Sequence, residues 1–160
     1  LRDMLYAKGE YRAVAELTRE MTRLEPGNAQ RFLEAGAMYE ELRLLDSAAV
    51  VFRGGIVLHE TSDDLQFRLG VVSRQLGRTR EAEEAFRRVI QLNPSSTGAY
   101  VLLGTLYAET GRGSEAIAVL EAGLTMEQPP RDLVELLHTL YRKQVDRVKD
   151  EALSRRFPTP

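Results

Sequence analysis

Two histidines, His59 and His138, and three pairs of adjacent acids, Glu40-Glu41, Asp63-Asp64 and Glu83-Glu84, have the side chains most suited to chemistry in this 160-residue chain. A histidine beside carboxylates can move a proton or hold a metal, and paired acids can divide acid and base roles. The spacing argues against both uses. Neither histidine belongs to a spaced cluster of His, Cys, Asp and Glu of the kind metals require. Neighbouring residues on a helix do not face each other, so the acid pairs read as solvated charge. Gly54-Gly55 lacks the preceding strand and following helix start of a phosphate loop or nucleophile elbow. The chain is therefore expected to be no enzyme, with no catalytic residue, cofactor or metal.

Composition narrows the class further. The formal net charge is -2, 43% of residues are hydrophobic, and cysteine is absent. Charge near balance leaves no electrostatic footprint for nucleic acid or an anionic membrane. No apolar run is long enough to span a bilayer, and without cysteine there is no disulfide framework. The chain opens on Leu1 and is read as a piece of something longer.

The elements that would carry any site are set by a period. Gly36, Gly70 and Gly104 stand 34 residues apart, as do Ala48, Ala82 and Ala116. Phe52, Phe86 and Leu120 keep a large apolar group in a further register, and Pro26 and Pro94 lie two periods apart. Phe32, Ala35, Gly36 and Tyr39 follow the i, i+3, i+4, i+7 rule, which makes one helical stripe. A small residue within that stripe lets a second helix approach, with the alanines as its counterparts. Gly77 and Gly111 suit the left-handed residue just past a helix end.

At Tyr100-x-x-Leu103-Gly104-x-x-Tyr107 and Ala116-x-x-x-Leu120 the chain resembles the tetratricopeptide repeat. The same landmarks recur at Leu69-Gly70, Ala82, Phe86 and Pro94, and at Phe32, Gly36, Tyr39, Ala48 and Phe52. The resemblance implies an all-α, right-handed superhelical solenoid of helix-turn-helix repeats with a C-terminal capping helix. The units read as a partial repeat over 1–28, repeats at 29–62, 63–96 and 97–130, and a capping helix and short tail over 131–160, all in one continuous domain. Each unit alone leaves apolar surface that its neighbour covers.

Departures from the pattern carry their own expectations. Arg43 replaces the turn glycine of the first complete copy, which predicts a different connection over 42–45. Gly54-Gly55 inside a helix predicts close packing against the next unit, with a local kink or flexible point as the alternative. The spacing over 131–155 predicts one long helix with Leu133, Leu136, Leu137, Leu140, Tyr141 and Val148 near one side. His138 falls on the repeat-glycine position, which favours a packing role.

In the family it resembles, first helices of successive units line a concave groove. Carried onto this sequence, that face comprises Leu33, Glu34, Ala37, Phe67, Arg68, Val71, Arg74, Val101, Leu102 and Thr105. Leu33, Phe67 and Val101 form one apolar row; Ala37, Val71 and Thr105 form a second. Some members of the family grip a C-terminal carboxylate there with Lys, Arg and Asn. Here Leu33, Glu34, Ala37, Gly98 and Leu102 occupy those places and only Arg68 has the right character, so that clamp is not expected. The face suits an amphipathic helix or an extended apolar peptide. The expected function is a protein-interaction scaffold, as a subunit of a larger assembly, with another protein or peptide segment as partner. Self-association or docking within the parent chain is the alternative, and RNA binding by a helical-repeat array a third reading.

Overall fold

The computed structural model describes residues 27–124, 129–143 and 146–157, with isolated positions between 13 and 24. Eight helices are delimited among the described residues: α1 (Ala29–Glu41), α2 (Leu45–Leu58), α3 (Asp63–Gln75), α4 (Thr79–Leu92), α5 (Thr97–Glu109), α6 (Gly113–Gly123), α7 (Arg131–Lys143) and α8 (Arg147–Arg156). The first helices of successive pairs begin at 29, 63, 97 and 131, and the second at 45, 79, 113 and 147. Both series step by 34, so the periodicity in the sequence is a periodicity of helix starts. The partial repeat expected over 1–28 lies largely outside the described residues.

The chain divides into two compact units, one ending at Leu92 and the other beginning at Asn93. In the first, Phe32, Ala48, Ala49, Val51, Phe52, Leu65, Leu69 and Val72 form one core cluster drawn from α1, α2 and α3. Close approach of the helices rests on glycine. A Cβ built on Gly36 would stand 2.1 Å from Phe52, and one on Gly70 would stand 2.6 Å from Phe86. Glycine within a helix costs about 1 kcal/mol relative to alanine, while burying a phenylalanine stabilises by about 1.5–3 kcal/mol. The notch is therefore a net gain. A Cβ built on Gly55 would stand 2.8 Å from Phe32 and 3.1 Å from Leu65, which is the close packing its sequence context predicts. In the second unit Gly104 receives Leu120 in the same way, and Tyr100, Leu103, Leu133 and Leu137 are buried.

Two expectations are corrected. Arg43 does not alter its connection: it takes φ 61°, beside 71° at Gly77 and 77° at Gly111. The backbone bonds match as well. Arg43 N–H donates to Glu40 O and Leu44 N–H to Tyr39 O, as Gly77 does to Arg74 and Arg78 to Ser73. This is the hydrogen-bond pattern that closes a helix on a left-handed residue, and here an arginine adopts it.

The long helix expected over 131–155 is two helices. Asp146 N–H donates to Tyr141 O at 2.9 Å, the five-back bond that Leu44, Arg78 and Arg112 make in their own turns. The Asp146 side chain then caps α8 by accepting from Lys149 N–H at 3.1 Å. The break rephases the following face, so Val148, expected on the apolar side, is 80% exposed.

Candidate functional site

The expected site residues fall in both units: Leu33, Glu34, Ala37, Phe67, Arg68, Val71 and Arg74 in the first, Val101, Leu102 and Thr105 in the second. Within the first unit α1 packs directly against α3. Both are first helices of their pairs. Leu33, Ala37, Phe67 and Val71 are each half-buried. Leu33 packs on the edge of the core cluster. The Phe67 ring meets Phe86 edge-on at 6.0 Å between centroids, so part of its surface supports its own repeat. Ala37 and Val71 complete the apolar part of this face in the first unit.

Charge crosses the same helix contact. Arg68 Nη1 lies 3.6 Å from Glu40 Oε2, an ion pair between α3 and α1. That distance exceeds a hydrogen bond, and Oε2 is buried with no hydrogen-bond partner. Burial raises the Glu40 carboxyl above its ordinary value, and the Arg68 guanidinium offsets this in part. Glu34 accepts from Gln30 Nε2 at 3.3 Å along its own helix. In the second unit Thr105 Oγ1 donates to Val101 O at 2.8 Å, which occupies the hydroxyl. Val101 and Leu102 are half-buried.

A second apolar surface on α1 escaped the sequence reading. Leu17, Glu20, Leu24, Arg31, Glu34, Ala35 and Met38 line an open cleft of about 450 Å³. Met38 is 64% exposed, whereas Val72, Leu106 and Leu140, its counterparts one, two and three periods on, are 0%, 3% and 6% exposed. Frame comparison could have found it, because a position that is apolar in every copy marks an inter-repeat contact.

The candidate chemical groups are engaged in packing. His59 sets its ring edge-on to Phe32 at 6.0 Å, and His138 is 5% exposed and bonded to Asp150. Among the described residues no group of three or more His, Cys, Asp and Glu could hold a metal ion. No described helix is long and apolar enough to cross a membrane.

Residues 73–137 match the family model described as tetratricopeptide repeat. That stretch carries tetratricopeptide repeats. The described residues are helical throughout their regular structure, and the fold is similar to that of helical-repeat proteins. Among solved structures, MamA superposes with a TM-score of 0.74 at 22% identity, over 94% of this chain and 88% of that one. YrrB, described as a tetratricopeptide-repeat protein with an unusual peptide-binding site, gives 0.67 at 22% identity over 94% and 78%. The first such domain of Spaghetti, bound to an HSP90 peptide, gives 0.68 at 20% identity over 76% and 96%. A pentatricopeptide repeat-containing protein of Arabidopsis thaliana is 51% identical over 43 residues, which is 27% of this chain and 8% of that protein. The chain thus spans a small fraction of that relative.

Proposed function

We propose that this protein binds a helix or extended apolar peptide segment of a partner on the first-helix face of its repeats, through Ala37 and Val71 with Leu33 and Phe67 beside them. One observation supports the reading: Ala37 and Val71, apolar residues on two helices that pack against each other, keep part of their surface exposed. Val101, Leu102 and Thr105 offer the equivalent surface in the second unit. Anchoring by apolar side chains, with charge setting orientation, suits the acids Glu34 and Glu40 on α1 and the bases Arg68 and Arg74 on α3. A structural neighbour bound to an HSP90 peptide supports a peptide partner, but Leu33 and Ala37 are the wrong residues for gripping a terminal carboxylate.

The test is selection of binders from a displayed peptide library on the parent chain, followed by their titration against Val71→Asp and Val101→Asp. These substitutions are preferable to Phe67→Ala, whose loss of the Phe86 contact would itself cost about 0.5–1.5 kcal/mol. Apolar peptides are expected to lose at least about tenfold in affinity, equivalent to 1.4 kcal/mol, while the helical circular dichroism signal is kept. Unchanged affinity in both variants would remove the face from consideration. Salt-sensitive capture of single-stranded RNA in place of peptides would point to the RNA-binding reading.

A further inference from the structure

The 34-residue frame carried into the last helix pair finds its two small positions refilled. His138 stands in the register of Gly36, Gly70 and Gly104, and Asp150 in that of Ala48, Ala82 and Ala116. The register of Phe52, Phe86 and Leu120 holds Ser154, which is exposed. The α7–α8 pair therefore has no large apolar side chain seated in a glycine notch. In its place His138 Nδ1 lies 2.5 Å from Asp150 Oδ1, and Arg142 Nε donates to Oδ2 at 3.0 Å. Both oxygens of one carboxylate on α8 are engaged by α7. Leu153 alone of the described α8 side chains is buried, so apolar packing contributes little to holding this helix.

We propose that α8 is a charge-held clasp: it stays on α7 through the grip of Asp150 on His138 and Arg142, and lifts as one unit when that charge is removed, leaving α5, α6 and α7 folded. Each of the three preceding pairs seats a large apolar side chain in a glycine notch; this one is closed by charged and polar groups. The charged groups around the carboxylate are consistent with that role. From α7 come His138 and Arg142. From α6 comes Glu121, already held by Tyr141 Oη–H at 2.7 Å and Lys149 Nζ at 2.9 Å. On α8 itself Asp146 is occupied as the cap and Lys149 by Glu121. The bonds from His138 and Arg142 hold the Asp150 carboxyl below its ordinary value of 3.8. The clasp is therefore closed above that range and loosens as pH falls through the lowered value.

Hydrogen exchange on the whole chain, normalised for intrinsic rates, reads this directly. In Asp150→Asn, which keeps the shape and removes the charge, α8 amides are expected to exchange at least about tenfold faster. Those of α5 and α6 should stay within about twofold. Arg142 is a side chain 70% exposed, so Arg142→Gln should fold normally and give an intermediate rate. On acidification the parent should lose α8 protection before that of α5 and α6, and Asp150→Asn should show no such step. Parent-like protection of α8 in Asp150→Asn would overturn the proposal. So would simultaneous loss across α5–α8 in acidified parent protein.

Discussion

A methyl group added to Gly36 would stand 2.1 Å from Cε1 of Phe52 and 2.4 Å from Cζ. The ring belongs to a fully buried side chain of α2, so it has nowhere to retreat without disturbing the cluster around it. Overpacking of this kind costs about 1–3 kcal/mol, more than the roughly 1 kcal/mol that alanine gains over glycine in a helix. Gly36→Ala should therefore lower the urea midpoint. Gly27→Ala, where no heavy atom lies within 4 Å, should leave it nearly unchanged.

Arg43 carries a backbone conformation that its side chain opposes. A left-handed residue other than glycine costs about 1–2 kcal/mol, and the extra freedom of glycine in the unfolded chain returns about 0.4–1 kcal/mol of that. Arg43→Gly is expected to stabilise the first unit by about 0.5–1 kcal/mol without moving α1 or α2. Denaturant melts of parent and variant check it, and a lowered midpoint would contradict the turn geometry.

Two carboxylates of the first unit should respond to acid in opposite directions. Glu81 takes two hydrogen bonds from Arg53, at 2.6 and 2.8 Å, and one from Ser73 at 2.8 Å. The Arg53 bonds are the main cause holding its carboxyl below the ordinary 4.5. Its contribution is complete above 4.5 and lost as pH falls through the lowered folded value. Glu40 is raised by burial. Its penalty is absent in acid and grows as pH rises from 4.5 through the folded value. Glu81→Gln should cost about 1 kcal/mol at pH 7, discounted because Arg53 is 42% exposed, with the deficit shrinking in acid. Relative to the parent, Glu40→Gln should gain stability as pH rises. Urea melts at several pH values separate the two signs.

The parts of this fold that could be read from sequence are those where a residue type stands for a geometry. Gly36, Gly70 and Gly104 mark helix contacts because only glycine fits there, and Gly77 and Gly111 mark turns. The reading failed where the geometry is kept without its usual residue. Arg43 makes a turn that glycine normally makes, and Asp146 begins a helix inside what looked like one uninterrupted helical pattern. In both cases backbone hydrogen bonds, which side-chain identity does not report, decide the outcome. The candidate face was legible only as a stripe. Sequence spacing places Leu33, Phe67 and Val71 on it, but cannot say that Phe67 is partly spent on Phe86 or that Glu40 is drawn into burial beside Arg68.

Met38, which α1 turns outward where later copies turn a buried aliphatic inward, doubles as a chemical footprint. Its thioether is open to mild peroxide, and the sulfoxide that forms adds polarity at a place with no core to disrupt. Whatever comes to lie along that side of α1 will shield the sulfur. The oxidation rate at this single atom, followed by mass spectrometry, therefore reports when that side is covered.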